Sequence, residues 1–104
     1  MKAQLDRGFA IGPQADLAGK VAQMFAEMTH NERVTFCNTG SEAVMAAMRV
    51  ARNITGRMKV VVFNGDYHGQ FDEVLAKGVQ KPGAKPRTKP GANGIPDESV
   101  ANMS

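Results

Sequence analysis

Arg33-Val34-Thr35-Phe36-Cys37-Asn38-Thr39-Gly40-Ser41-Glu42-Ala43 is the stretch whose reading decides the fold. It begins as a short run rich in β-branched and aromatic residues, turns through Asn38-Thr39-Gly40, and opens a helical pattern. Val44, Ala47, Met48 and Ala51 then recur at i, i+3, i+4 and i+7, which marks one apolar face of an amphipathic helix. Thr39 and Glu42 have the T-x-x-E spacing of a capping box, and Ser41 is a second hydroxyl at the same helix start. A strand, a glycine turn and a helix N-terminus together form an anion site, because the first backbone N–H groups lack intrahelical partners and the dipole favours negative charge there. The same residues also describe an ordinary capped helix after an ordinary strand, since Thr, Ser and Asn are the usual caps with or without a ligand.

The surrounding chain predicts one small domain. Its 104 residues are 42% hydrophobic, with six aromatic residues and no tryptophan, so the core is modest and rich in Ala, Val and Met. The net charge of +3 is mild: residues 1–77 hold 9 basic and 8 acidic side chains, residues 78–104 hold 4 and 2. The lone Cys37 has no partner for an internal disulfide, which suggests a reducing, cytoplasmic compartment. No apolar run reaches the length of a membrane span and the N-terminus lacks a signal-peptide core, so a soluble protein without a membrane role is expected.

Met1–Pro13 reads as an entry segment without a clear period. Asp16 is a suitable N-cap for a helix running to about Met28, with Leu17, Val21, Met24, Phe25 and Met28 on one face. Gly12 and Gly19-Lys20 do not make a P-loop, because six residues separate the glycines and Val21 stands where a hydroxyl must hold magnesium. The next helix continues from the decisive turn to about Ile54 and stops at Gly56. Lys59-Val60-Val61-Val62-Phe63 is a continuous apolar strand of the kind buried on both faces. Strand, helix and strand in this order predict a βαβ unit with a parallel pair, in an α/β fold that carries an N-terminal helix.

After that strand, Asn64-Gly65-Asp66-Tyr67-His68-Gly69 forms a loop at the carboxyl end of a parallel strand, as Asn38–Ser41 does, so both face one crevice. Tyr67, between glycines, is placed to stack on a flat ring. His68 and Asp72 are four apart, but no third ligand accompanies them, so no metal site is expected. Phe71–Leu75 reads as a short helical turn. From Gly78 the composition changes: residues 78–96 hold four of the five prolines, and Lys-Pro-Gly-Ala occurs at 81–84 and again at 89–92. The expected division is therefore residues 1–77 as an α/β domain and residues 78–104 as a flexible Pro/Gly/Lys-rich segment. Its four basic residues lack interleaved aromatics, so nucleic acid is not an expected partner. A nucleotide-binding βαβ module would show a glycine fingerprint before the helix and an acidic residue closing the second strand. That strand closes on Phe63-Asn64, which leaves a non-catalytic phosphate-binding module as the alternative to an enzyme.

Three spaced blocks carry a resemblance: Phe36–Val44, the helix end with Arg49, Arg52 and Thr55-Gly56-Arg57, and Phe63–Gly69. In order and spacing they resemble the class III pyridoxal-phosphate-dependent aminotransferases, over roughly residues 5–77, and within them the glutamate-1-semialdehyde aminomutase branch. The resemblance implies a fragment of the large cofactor-binding domain of a fold-type I enzyme, with pyridoxal 5'-phosphate as cofactor. It implies that Gly40 and Ser41 hold the cofactor phosphate, that Thr39 shapes the turn, and that Tyr67 lies against the pyridine ring with His68 flanking it. Glu42 reads as a helix-start residue.

The family's Schiff-base lysine and the aspartate that pairs with the pyridine nitrogen lie in a later part of its chains. None of Lys59, Lys77, Lys81, Lys85 or Lys89 sits in the lysine's motif, so no catalytic residue is assigned within these 104 residues. The chain is expected to be a partial aminotransferase, inactive alone. In full-length form the resemblance implies a homodimer with an amino donor and a carbonyl acceptor. Gly8–Gln14 and Phe36–Met45 are similar to aminotransferase domains of polyketide and peptide synthetases, which suggests a carrier-bound β-ketoacyl acceptor and a carrier-protein partner. The alternative is internal transfer on glutamate 1-semialdehyde.

Overall fold

Helix α3, Gly40–Thr55, is the longest element, and both of its ends are explained by its sequence. Thr39 is the extended N-cap and Gly56 the left-handed C-cap at φ 68°, where its N–H donates to the Arg52 carbonyl. The computed structural model describes residues 2–6, 15 and 17–104, and the chain forms two units, Met1–Phe36 and Cys37–Ser104. This division differs from the one expected at residue 77.

In the first unit, a single helical turn, α1 (Lys2–Leu5), lies in what reads from sequence as an irregular entry segment. Helix α2 spans Ala18–Thr29, close to the predicted range. Asp16, its expected cap, and Gly8–Gln14 lie outside the described residues; Leu17 occupies the cap position and makes no side-chain cap bond. The helix ends on His30 in the left-handed region at φ 55°, with the His30 and Asn31 N–H groups both donating to the Ala26 carbonyl. The predicted apolar face exists but is exposed, from Val21 at 36% to Met28 at 75%. The expected strand at 33–36 does not form: these residues are irregular, and only Val34 is half-buried.

The second unit holds the core: Met48, Val74, Val100 and Met103, surrounded by Val44, Val60, Val62, Phe71, Ala76 and Ile95. On α3 the buried stripe runs through Val44 and Met48 to half-buried Arg52, whereas Ala47 and Ala51 are exposed, so the apolar face is rotated from the one the alanines suggest. A short 3-10 turn at Asp72–Val74 follows the loop, as predicted for that segment.

The second expected strand, residues 59–63, has a parallel partner, but a different one from residues 33–36. The Val60 N–H donates to Asn102 O (2.9 Å), the Ser104 N–H to Val60 O (3.0 Å), and the Val62 N–H to Ser104 O (2.9 Å). Alternation decides the rest: Val60 and Val62 turn to the core, while Val61 and Phe63 are each 73% exposed. A βαβ unit with both strands paired is therefore not seen, because only one strand finds backbone groups to bond.

Residues 78–104 also differ from the flexible segment expected. Strands β1 (Ala76–Val79) and β2 (Arg87–Pro90) form an antiparallel hairpin, with Ala76 opposite Pro90 and Val79 opposite Arg87. Lys81–Ala84 is a turn closed by the Ala84 N–H on Lys81 O (3.0 Å), with Gly83 at φ +76°. Gly91 passes so close to β1 that a Cβ there would stand 3.0 Å from the Leu75 carbonyl oxygen. Thr88 donates its hydroxyl to Met103 O at 2.7 Å, and a second 3-10 turn, Asp97–Val100, delivers Val100 and Met103 to the core at 2% exposure each. The prolines and glycines punctuate turns here. None of the described helices is long and apolar enough to cross a membrane.

Met103→Ala should therefore destabilise the Cys37–Ser104 unit by about 2–5 kcal/mol, the cost of emptying a buried methionine site. Ala51→Gln, on the exposed side of α3, should shift stability by less than about 0.5 kcal/mol. Denaturant unfolding followed by far-UV circular dichroism measures both.

Candidate functional site

The site is built on the first turn of α3. The Thr39 hydroxyl accepts from the Glu42 N–H (3.2 Å), and Glu42 Oε2 accepts from the N–H groups of Asn38 (2.7 Å) and Thr39 (3.1 Å). The capping box is complete, and Glu42 is the helix-start residue that its spacing indicates. The Ala43 N–H opens the helical ladder on Thr39 O (3.1 Å). Among the described residues, this leaves the N–H groups of Gly40 and Ser41 without a protein acceptor. A Cβ on Gly40 would meet no atom within 4 Å, so the space beside this backbone is open.

The second loop docks on the first. The Gln70 N–H donates to Ser41 Oγ at 3.0 Å, across 29 residues of sequence. The contact requires glycine at position 69, which is buried at φ +128°: a Cβ there would stand 3.1 Å from the Phe71 ring and 3.3 Å from Ser41 Oγ. Upstream, Phe63 O accepts from the Asp66 N–H (3.3 Å) and from His68 Nε2 (3.2 Å). A carbonyl only accepts, so this bond puts a proton on His68 Nε2. Tyr67 is 71% exposed, with its ring open to a ligand.

Past the loop, an ion pair fastens its far end. Arg52 Nη2 lies 2.7 Å from Glu73 Oε1, with the side chains 18% and 29% exposed, and Arg52 Nε donates to Met58 O at 2.9 Å. Nη2 is buried and its approach to Glu73 lies outside hydrogen-bond alignment, so the contact is one of charge with charge. No group of three or more His, Cys, Asp or Glu among the described residues is arranged to hold a metal.

Of the residues singled out from sequence, Ser41 is bonded to Gln70 at the end of the loop that carries Tyr67 and His68, Thr39 is committed to the helix cap, and Gly40 leaves open backbone. Gln70 was not among them, because it acts through its main-chain N–H, which any residue except proline supplies. Glu73 was missed for a related reason: nothing in its sequence spacing from Arg52 marks a pair made across a loop.

The family model for class III aminotransferases matches residues 1–102. The chain belongs to that family. This aminotransferase chain is 41% identical over 100 residues to glutamate-1-semialdehyde 2,1-aminomutase of Archaeoglobus fulgidus, covering 95% of this chain and 23% of that protein. It is 39% identical over 103 residues to the protein of the same name from Methanocaldococcus jannaschii, covering 98% and 24%. Among solved structures it is similar to an omega-transaminase from Sphaerobacter thermophilus, at a TM-score of 0.79 and 31% identity, covering 98% of this chain and 24% of that one. The aminotransferase chain thus spans 23–24% of the length of these relatives. The α/β fragment of a transaminase large domain expected from sequence agrees with these likenesses.

Thr39→Ala should cost about 1 kcal/mol by leaving the Glu42 N–H uncapped. The loss should appear as faster amide hydrogen exchange in the first turn of α3, with its last turn unchanged.

Proposed function

We propose that this chain supplies the phosphate side of a pyridoxal 5'-phosphate site in an enzyme that transfers amino groups. One observation carries the reading: Ser41 sits between two free amide N–H groups at the start of a sixteen-residue helix and a docked loop bearing an exposed tyrosine. The residues present suit the group. The Gly40 and Ser41 amides and the Ser41 hydroxyl are the donors for a phosphate, and the open space beside Gly40 lets it approach the backbone. Tyr67 would lie against the pyridine ring and His68, held by its bond to Phe63, would flank it. Thr39 keeps the turn in shape. The cofactor, when bound, supplies the electron sink for exchange at an amine-bearing carbon. These residues bind and orient it; none is assigned the proton transfers.

The substrate is a carbonyl compound that accepts an amino group. The name shared by the two relatives above, glutamate-1-semialdehyde 2,1-aminomutase, supports internal transfer of the amino group on glutamate 1-semialdehyde. The second reading, a carrier-bound β-ketoacyl acceptor with an acidic carrier protein as partner, rests on the likeness of Gly8–Gln14 and Phe36–Met45 to synthetase domains. A homodimeric assembly and a cytoplasmic setting, in keeping with the exposed free Cys37, complete the proposal.

Gly40→Val should abolish retention of the cofactor while leaving α3 intact, since the added Cβ meets none of the packed atoms around it and its branches would compete with a phosphate for the open side of the turn. Equilibrium dialysis with pyridoxal phosphate, alongside circular dichroism, checks this; near-normal retention removes the anion-site assignment. For the substrate, an enzyme carrying these residues at the length of its relatives should turn over free glutamate 1-semialdehyde. Turnover of the carrier-bound β-ketoacyl thioester alone would reverse the choice.

A further inference from the structure

We propose that the Ser41 hydroxyl works in two directions, accepting from Gln70 while donating to a phosphate oxygen, so that filling the phosphate site fixes the loop that carries Tyr67. This rests on the cofactor reading above and adds a linkage to it. A hydroxyl has one proton and two lone pairs. The Gln70 N–H, at 3.0 Å, occupies one lone pair and leaves the proton for another partner. A phosphate set against the free Gly40 and Ser41 amides lies where that proton can be donated. Donation to an anion polarises the oxygen, which strengthens it as the acceptor for Gln70.

The loop is built to respond. Its bonds from Asp66 and His68 return to Phe63, at its own stem. Among the described residues, the Gln70–Ser41 bond is the one hydrogen bond between residues 64–70 and α3. Only two residues separate Gln70 from Tyr67, and one of them, Gly69, is wedged against Ser41 Oγ and the Phe71 ring. A stronger Ser41–Gln70 bond therefore restricts the backbone next to the exposed tyrosine. Ser41 acts on the ring site as a positioning residue, through Gln70.

The test uses inorganic phosphate, which carries no ring, titrated into the 104-residue chain at constant ionic strength. The amides of Gly40 and Gln70 are followed by nitrogen-15 NMR. Tyr67 is followed by its emission, which reports on it alone because the chain has one tyrosine and no tryptophan. In the unmodified chain, Gly40, Gln70 and Tyr67 should respond together with one apparent Kd. In Ser41→Ala, Gly40 should still respond, with affinity lowered roughly ten- to a hundredfold by loss of one bond to a charged group, while Gln70 and Tyr67 stay silent. Ser41→Thr, which keeps the hydroxyl, should restore the joint response. Should Ser41→Ala lose α3, Gly69→Ala carries the same test from the other side. Its methyl group displaces the loop, so phosphate should still move Gly40 without moving Tyr67. A Tyr67 and Gln70 response that persists in Ser41→Ala overturns the linkage. So does a silent Tyr67 in the unmodified chain when Gly40 responds. A silent Gly40 overturns the phosphate site itself.

Discussion

The bond from the Gln70 amide to the Ser41 hydroxyl is the constraint on which the rest of the site depends. It forms only if the start of α3 is fixed to the residue, which the reciprocal bonds of Thr39 and Glu42 accomplish. It also calls for glycine at position 69, because the backbone there takes φ +128° and a Cβ would crowd Ser41 Oγ at 3.3 Å and the Phe71 ring at 3.1 Å. The Arg52–Glu73 pair then holds the 3-10 turn beyond the loop against the late part of α3. The loop is thus fastened at Ser41 near one end of the helix and at Arg52 near the other. Tyr67 lies just upstream of both fixed points and stays exposed.

This arrangement was legible in part. Local rules sufficed for α3: T-x-x-E wrote its start, Gly56 its stop, and the structure has both. The glycines at 65 and 69 marked the second loop, and both have positive φ. Rules of composition failed where long-range pairing decides. Residues 78–104 carry the signature of a linker, yet Val100 and Met103 are among the most buried side chains, because widely spaced apolar residues need no period once a hairpin and a 3-10 turn place them. The Ala47–Ala51 face misled for another reason. A helix buries what its neighbours cover, and Glu73 makes the long, charged Arg52 the better occupant of the buried side.

The two β-rich runs separate propensity from pairing. Residues 33–36 and 59–63 have similar composition, but a strand exists only where another backbone supplies donors and acceptors at its edge. Residues 60–62 find them in residues 102–104, and one face becomes core while Val61 and Phe63 stay exposed. An apolar run built for two covered faces has here one. The exposed apolar side of α2 follows the same logic: amphipathic spacing states which side a helix will bury, and burial itself needs a partner layer. The chain spans less than a quarter of its relatives, so surfaces written for burial and left open are what such a span should show.

Glu42 sets the terms on which an anion is held. Its carboxylate takes the N–H groups of Asn38 and Thr39, so the negative charge favoured at this helix start is already partly supplied by the protein. A phosphate bound as proposed would find two amides and one hydroxyl, and would meet a neighbouring carboxylate as well. Backbone donors alone hold it less well than an uncapped helix start would. On the proposed reading, retention would draw on groups outside the turn as well, and the Ser41 hydroxyl is the group that ties the turn to the loop carrying the exposed Tyr67. A ligand with both a phosphate and a flat ring would then touch both loops directly, whereas a bare anion would reach the second only through the Ser41–Gln70 bond. On that reading the capping box, by supplying negative charge at the turn, would disfavour a bare anion relative to a ligand of two parts.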